Sequence, residues 1–482
     1  MISQKCSWMA KSTAVCFLLF SIAACERTMA AASGVIAQVA SDLSSEESKQ
    51  QRLAWNLKTL VEAYQSAGYT NPKWDPNAKQ ALTEFARSRS KLLDKNEPVD
   101  QIVSNNASAA IQSGCKDPMI NYLFIKNIMN RSKDPKVVAD AYCRTADDMQ
   151  QSSYPMIRKF YASLRAAQHL NGLVKSVNGV FPPTPPEVHK YRRQAMADLA
   201  SAVADKQMPV GEVDDACIEM MNALAKNSTQ GSDFYRSIEK SLFNNWPDES
   251  ISWLLKGRGY IQMAWEARGN GYADTVTDEG WKLFGERLAI AEESLHRARM
   301  LNPKDPRIAE AVLVVELGQG KGPGRLDMWF KRAMELNPND YSACSKKLYY
   351  LEPKWHGSVE EMLQFGHECV TNKKWGGQVP LILVKARDSI QDHCIAPSEK
   401  DNYWKRPEVW ADIKSAFERY FELNPSNTSW YSSYALHAYR AEQWDTLNKI
   451  IPKLNLANYD YFSGKDEYDK MVRLAKERSS KP

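Results

Sequence analysis

Three segments of this chain repeat one arrangement of side chains. Ala291, Leu295, Ala298, Leu301 and Pro303 return 35 residues later as Leu326, Phe330, Ala333, Leu336 and Pro338. They return again as Ile413, Phe417, Tyr420, Leu423 and Pro425. In each copy a Leu or Phe stands at +4, Ala or Tyr at +7 and Leu at +10, and an Asn-Pro pair closes the run. Spacings of three and four residues lie on one face of an α-helix, and the proline cannot continue it. A small residue at +7 lets a second helix come close, and the bulky residue at +4 plugs the next unit. A unit of this size cannot bury its apolar face alone, so the pattern constrains the chain to stacked helices.

The spacing is that of the second helix of a tetratricopeptide repeat, whose period is about 34. A first helix is legible as Trp253, Gly257 and Tyr260, with Lys256 where that repeat has leucine. Between Tyr260 and Ala291 the chain is longer than the repeat needs, which implies an insert of roughly twenty residues near 262–285. Less regular helices follow at 343–351, 359–370, 381–390 and 431–439. Upstream, Leu53, Leu57, Leu60, Val61 and Tyr64 form an amphipathic stripe, and Asn71-Pro72, Asp117-Pro118 and Asp134-Pro135 read as helix starts. The four prolines of Val180–Pro186 exclude a helix there and suggest an internal boundary. The fold class expected is all-α, helical hairpins stacked as a tetratricopeptide-like solenoid with a helical N-terminal region. The organisation expected is a signal peptide at 1–24, a flexible tether at 25–50 and an N-terminal helical region at 51–180. Connecting helices follow at 187–250, a repeat array at 251–452 and a tail at 453–482.

The N-terminus reads as an address. Lys5 and Lys11 precede the uncharged run Ser12–Ala24, too short to span a bilayer and suited to the apolar region of a secretory signal. Ile22-Ala23-Ala24-Cys25 resembles a bacterial lipobox, with Cys25 the lipidated residue; Ala30-Ala31-Ala32 offers ordinary cleavage instead. With Glu26 after the cysteine, the expected location is the periplasm, attached to a membrane, the outer one favoured. If the lipobox is unused, the protein is secreted or soluble in the periplasm. An oxidising compartment permits disulfides among the six remaining cysteines. Cys115 with Cys143, and Cys344 with Cys369, stand early in one helix and late in its partner, and both bridges are expected.

Little in the sequence suggests catalysis. Hydrophobic residues are 43% and charged residues 25%, which excludes a disordered chain and a polytopic membrane protein. The net charge of +5 is too small to imply a nucleic-acid partner. No HExxH pair exists, and the irregular set His356, His367, Cys369, His393 and Cys394 is a poor metal site, so no metal and no cofactor is expected. The glycine-rich Gly318–Gly324 lacks the Ser or Thr of a phosphate loop and reads as a turn. Ser237-x-x-Lys240 lacks the companion motifs of serine–lysine acylation. The adjacent acids Asp147-Asp148, Asp214-Asp215 and Glu292-Glu293 read as solvated surface. Tryptophan is the unusual feature: ten of the 14 lie between Trp253 and Trp444. Arg258, Gln262, Trp265, Arg268, Trp281, Lys354 and Trp355 are candidates for binding a partner, since indole and guanidinium groups combine contact area with polar handles. The competing reading is that the tryptophans plug gaps in an irregular array.

Trp253…Gly257…Tyr260, the stretch Ala264–Thr277, Trp329-Phe330, Pro353–Ser358 and Met362–Gly366 together resemble the domain-of-unknown-function 4034 family. Asn71–Trp74 and Gly114–Pro118 are similar to the same family. The resemblance spans most of the chain beyond the tether and implies a helical, tetratricopeptide-like fold without an assigned activity. The function expected is a non-catalytic, envelope-located scaffold that binds a protein or peptide. The alternative is a hydrolase-like envelope enzyme using 264–281, with Arg268 and Asp278 in polar roles.

Overall fold

The computed structural model describes residues 46–92, 97–127, 134–174, 183–224, 228–269, 271, 273–454 and 459–479. The expected signal, the lipobox with Cys25 and the alanine cleavage site all lie outside these residues. The fold is all-α, with no strand among the described residues. No helix of the described residues is long and apolar enough to cross a membrane. The chain forms two compact units that divide between Ala216 and Cys217.

The first unit holds α1 (46–66), α2 (Asp75–Arg89), α3 (Val99–Gln112), α4 (Pro118–Asn127), α5 (Pro135–Gln151), α6 (Met156–Gly172) and α7 (Pro186–Val203), and most of it packs between chain neighbours. The start signals act as expected. Asp117 accepts from Met119 and Ile120 N–H, and Asp134 from Lys136 N–H, each at 2.9 Å. α6 and α7 lie on either side of the proline run and pack together. α1 carries one π-turn, Lys58–Glu62. The apolar stripe read there is divided: Leu60 and Tyr64 are fully buried, beside the buried polar residues Arg52, Asn56 and Thr59. Their hydrogen-bond partners include Arg89 on α2, Arg158 on α6 and Glu212 on α8 (Val210–Leu224), the helix in which the division between units falls.

The second unit continues with α9 (Ser228–Asn245), α10 (Ser250–Arg268), α11 (Asp278–Leu301), α12 (Pro306–Gln319) and α13 (Pro323–Leu336). It goes on with α14 (Tyr341–Tyr350), α15 (Val359–Thr371), α16 (Ile382–His393), α17 (Pro407–Leu423), α18 (Tyr431–Arg440), α19 (Trp444–Ile450) and α20 (Lys465–Ser479). Each helix packs chiefly on its neighbours in the chain, as in a helical-repeat solenoid. The three repeated segments end α11, α13 and α17. The residues at +0, +4 and +7 are buried in all three. Each helix stops at Asn302, Asn337 or Asn424 with φ of −139°, −141° or −134°, and the Asn N–H bonds the carbonyl of the +7 residue. The leucine at +10 is not core: Leu301 is exposed. Gly257 works as its position in the repeat requires. A Cβ there would fall 2.6 Å from Leu295 on α11, so only glycine lets α10 and α11 pack this closely. Lys256, in the usual leucine position, pairs with Glu239 at 3.5 Å while its ammonium lies over the rings of Phe243, Trp253 and Tyr260.

The extra residues near 262–285 lengthen the end of α10 and the start of α11, with a short 3-10 turn, Ala273–Thr275, between the two helices. One expectation needs correction. The expected disulfides are absent, and all six described cysteines are thiols. Cys115 lies among Tyr64, Asp75 and Asp117, whereas Cys143 faces Tyr191 and Asp147. The thiol of Cys115, before α4, and that of Cys143, on α5, therefore have different surroundings. Cys344 and Cys369 do meet, both buried where α14 packs on α15, but as hydrogen-bonded thiols, with Cys344 Sγ 3.6 Å from Met334 Sδ.

Candidate functional site

Trp265 and Arg268 end α10, Trp281 begins α11, and Trp355 stands in the turn before α15. Each position has a local cause. Thr277 caps α11 by accepting from Gly280 N–H at 3.1 Å, which fixes the first turn that carries Trp281. Gly269 ends α10 with φ +74°, a conformation that favours glycine. Ser358 caps α15 by accepting from Glu361 N–H at 3.2 Å, and this fixes the end of the Trp355 turn.

The three indoles meet around one cation. The Arg268 guanidinium carbon lies 5.3 Å from the ring centre of Trp355, 5.5 Å from Trp281 and 5.7 Å from Trp265. Trp265 meets Trp355 edge-on at 5.8 Å and Phe284 at 5.0 Å, and Phe284 meets Trp281 at 5.8 Å. Edge-to-face contacts of this kind hold rings rigidly. Arg268 Nη1 donates to the carbonyls of Gly269 and Gly271 at 3.2 and 3.1 Å, which anchors one edge of the fork to its own connection. Nε and Nη2 have no partner among the described residues. The indole N–H groups of Trp265 and Trp355 are buried and unbonded as well. Trp281 is 40% exposed. The Trp355 ring continues to Tyr349 at 5.7 Å; Lys354 lies 4.7 Å over Tyr349 and pairs with Glu352 at 2.6 Å. The cage offers a fixed cation, unused donors and an exposed apolar face within one cluster. Such a set suits a carboxylate or carbonyl flanked by an apolar group.

Five of the seven sequence candidates thus belong to one cluster: Trp265, Arg268, Trp281, Lys354 and Trp355. The other two stand apart. Arg258 donates to Asn222 Oδ1 on α8 at 3.0 Å. The Gln262 amide covers Gly231 on α9, where a Cβ would fall 2.1 Å from Nε2. Arg268 and Asp278, given polar roles in the enzyme reading, form no ion pair among the described residues. No group of three or more His, Cys, Asp or Glu suited to a metal exists among them. His356 contacts the Leu317 carbonyl at 3.2 Å and His367 contacts Asp412 at 2.8 Å, so the histidines have separate partners. Ser237 Oγ donates to the Phe234 carbonyl at 2.6 Å, a local helix contact. The glycine-rich Gly318–Gly324 connects α12 to α13, with Gly320 at φ +59°.

One surface was not singled out from sequence. A cleft of about 330 Å³ is lined by Arg299, Met328, Trp329, Lys331, Arg332 and Glu335. Arg299 lies 5.7 Å over Trp329, and Met300 and Met328 are exposed. The only hint in the sequence was the Trp329-Phe330 pair, which also serves the repeat. Two acids read as solvated surface are bound instead. Glu292 accepts from Lys321, Arg325 and Gln319, and despite burial, which would raise it, these donors hold its carboxyl at about 2. Asp215 accepts from Arg52 at 2.7 Å.

No family model matches the chain, and no curated protein matches it. Among solved structures it is similar to a human IFIT1 dimer with m7Gppp-AAAA, at 10% identity and a TM-score of 0.26, over 89% of this chain and 95% of that one. A likeness this faint decides neither fold nor ligand for this chain.

Proposed function

We propose that the protein is a non-catalytic scaffold of the cell envelope whose C-terminal unit holds a polypeptide partner at the Arg268 cage. The observation that carries this reading is the guanidinium fixed among three indoles with one edge of its fork unused. A carboxylate of the partner pairs with that edge, and an apolar side chain beside it covers Trp281. Solenoids commonly bind through surfaces that their stacked helices display. The near-balanced charge of the chain favours a polypeptide over a nucleic acid. Location is part of the same reading: lipidated Cys25 anchors the protein at a membrane facing the periplasm, the outer membrane in preference. The support for it is the lipobox-like Ile22–Cys25 at the end of an uncharged run. Membership of the domain-of-unknown-function 4034 family belongs here too and adds no activity.

The test is a crosslinking pulldown from native membranes with wild type and an Arg268→Ala, Trp281→Ala double variant. Both side chains are at least partly exposed, and an unchanged thermal melt checks that the variant keeps its fold. Loss of specific partners is expected; an unchanged partner set overturns the cage as the interface. Cys25→Ser should move the protein from the membrane to the soluble fraction, and retention at the membrane overturns the anchor.

A further inference from the structure

The first unit buries more positive than negative charge at one place. Glu212 on α8 is fully buried, and its Oε1 accepts from Arg52 Nη2 at 2.8 Å and Asn56 Nδ2 at 3.0 Å. Its Oε2 accepts from Arg89 Nη2 at 3.0 Å. Asp215 takes the remaining reach of Arg52 at 2.7 Å. Arg158 on α6 feels the charge of Glu212 but has no direct hydrogen bond to a carboxylate. It is 2% exposed, and its Nη2 donates only to neutral acceptors, Asn56 Oδ1 and Thr59 Oγ1, each at 2.6 Å. Arg158 Nε has no partner, nor has Arg89 Nε. A buried guanidinium without a counter-ion of its own is costly, and a native fold rarely leaves such a donor unsatisfied without a ligand.

Both arginines line the same small pocket. Arg89, Arg158, Lys126 and Arg165 surround it together with Tyr122 and Tyr161, and no Asp or Glu is among its described lining residues. Its volume is about 30 Å³. That exceeds the roughly 10–15 Å³ that one water needs, enough for a monatomic anion or the head of one carboxylate. Lys126 and Arg165 are half-exposed and form its rim, while Arg158 is at the buried side. We propose that this pocket is a small-anion site, in which a chloride-sized ion or a single carboxylate pairs with Arg158 and Arg89 and completes the charge balance of the N-terminal unit. Anion binding there stabilises the fold by linkage, because the unfolded chain lacks the site. The inference is independent of the Arg268 cage.

The full-length protein is titrated with chloride and with acetate at pH 7, ionic strength being held with gluconate, which is too large for the pocket. Thermal unfolding of the N-terminal unit is followed by hydrogen exchange in 156–165. Chloride or acetate should raise the midpoint with the logarithm of its concentration above Kd, by about 3 °C at tenfold excess over Kd, and whichever does so identifies the occupant. Arg158→Gln should abolish the response. Arg165→Gln, at the rim, should weaken the apparent affinity by about fivefold. The proposal is overturned if neither anion differs from gluconate, or if Arg165→Gln and any foldable Arg158→Gln both keep the wild-type response.

Discussion

Glu212→Gln is the sharpest perturbation the structure offers. The carboxylate accepts hydrogen bonds from Arg52, Arg89 and Asn56 and is fully buried. Burial alone would raise its pKa, but Arg89, Arg52, Arg158 and Asn56 outweigh burial and hold it at about 2. Its ordinary value is 4.5. At about 1.4 kcal/mol per unit, that depression corresponds to about 3 kcal/mol of stability carried by the ionised form. The group is out of solvent, so screening takes little from the figure. The expected cost of Glu212→Gln at pH 7 is therefore about 3 kcal/mol, within the range for breaking a buried ion pair. The sign follows from a folded pKa below the unfolded one. The contribution is complete above pH 4.5 and is lost as pH falls toward 2. The assay is urea unfolding of wild type and variant between pH 2.5 and 7, with hydrogen exchange in 52–59 and 156–165 to follow this unit alone. Wild type should lose stability through that acid range and the variant should lose less. A cost below about 1 kcal/mol at pH 7, or identical acid slopes, would refute the view that three guanidiniums depend on this carboxylate.

Three further outcomes are expected. Burial pushes Asp117 up to about 6, so its contribution to stability falls as pH rises from about 4 to 6; Asp117→Asn should flatten the pH profile in that window, and an unchanged profile in urea unfolding would contradict it. Gly257→Val forces α10 away from Leu295 and should cost about 1–3 kcal/mol, read as a lower melting midpoint; an unaltered midpoint would mean that the two helices separate freely. Among the described thiols, exposed Cys394 should react with a thiol reagent in the native protein, whereas Cys115, Cys217, Cys344 and Cys369 should react only on unfolding; rapid labelling of those four would contradict their burial.

The helices were legible because their signals are local. Asp117 and Asp134 cap the turns that follow them, and the Asn-Pro pairs after Leu301, Leu336 and Leu423 stop three helices in one geometry. The repeat face followed from the same periodicity, since a residue's position on a helix is set by its neighbours a few places away. The tryptophan and arginine composition of 265–281 pointed at the cage, but not at its form. Arg268 is held by rings from three segments, and α10 and α11 had to lengthen before Trp265 and Trp281 could share one cation. The +10 leucine shares the helix face of the buried positions yet stands at the helix end, where Leu301 is exposed and Leu336 and Leu423 are half-buried.

By itself the sequence determined the helical fold, the unit that repeats and the points where helices begin and stop. It could not determine which charges are solvated. Arg158 and Glu212 sit on helices that would carry them equally well on an exposed face, and Arg52 meets Glu212 across 160 positions of chain. Periodicity encodes which face is apolar, not which distant group will stand opposite a charge. That choice falls to packing, because a buried ion is tolerated only where the fold has already brought its counter-charge within reach.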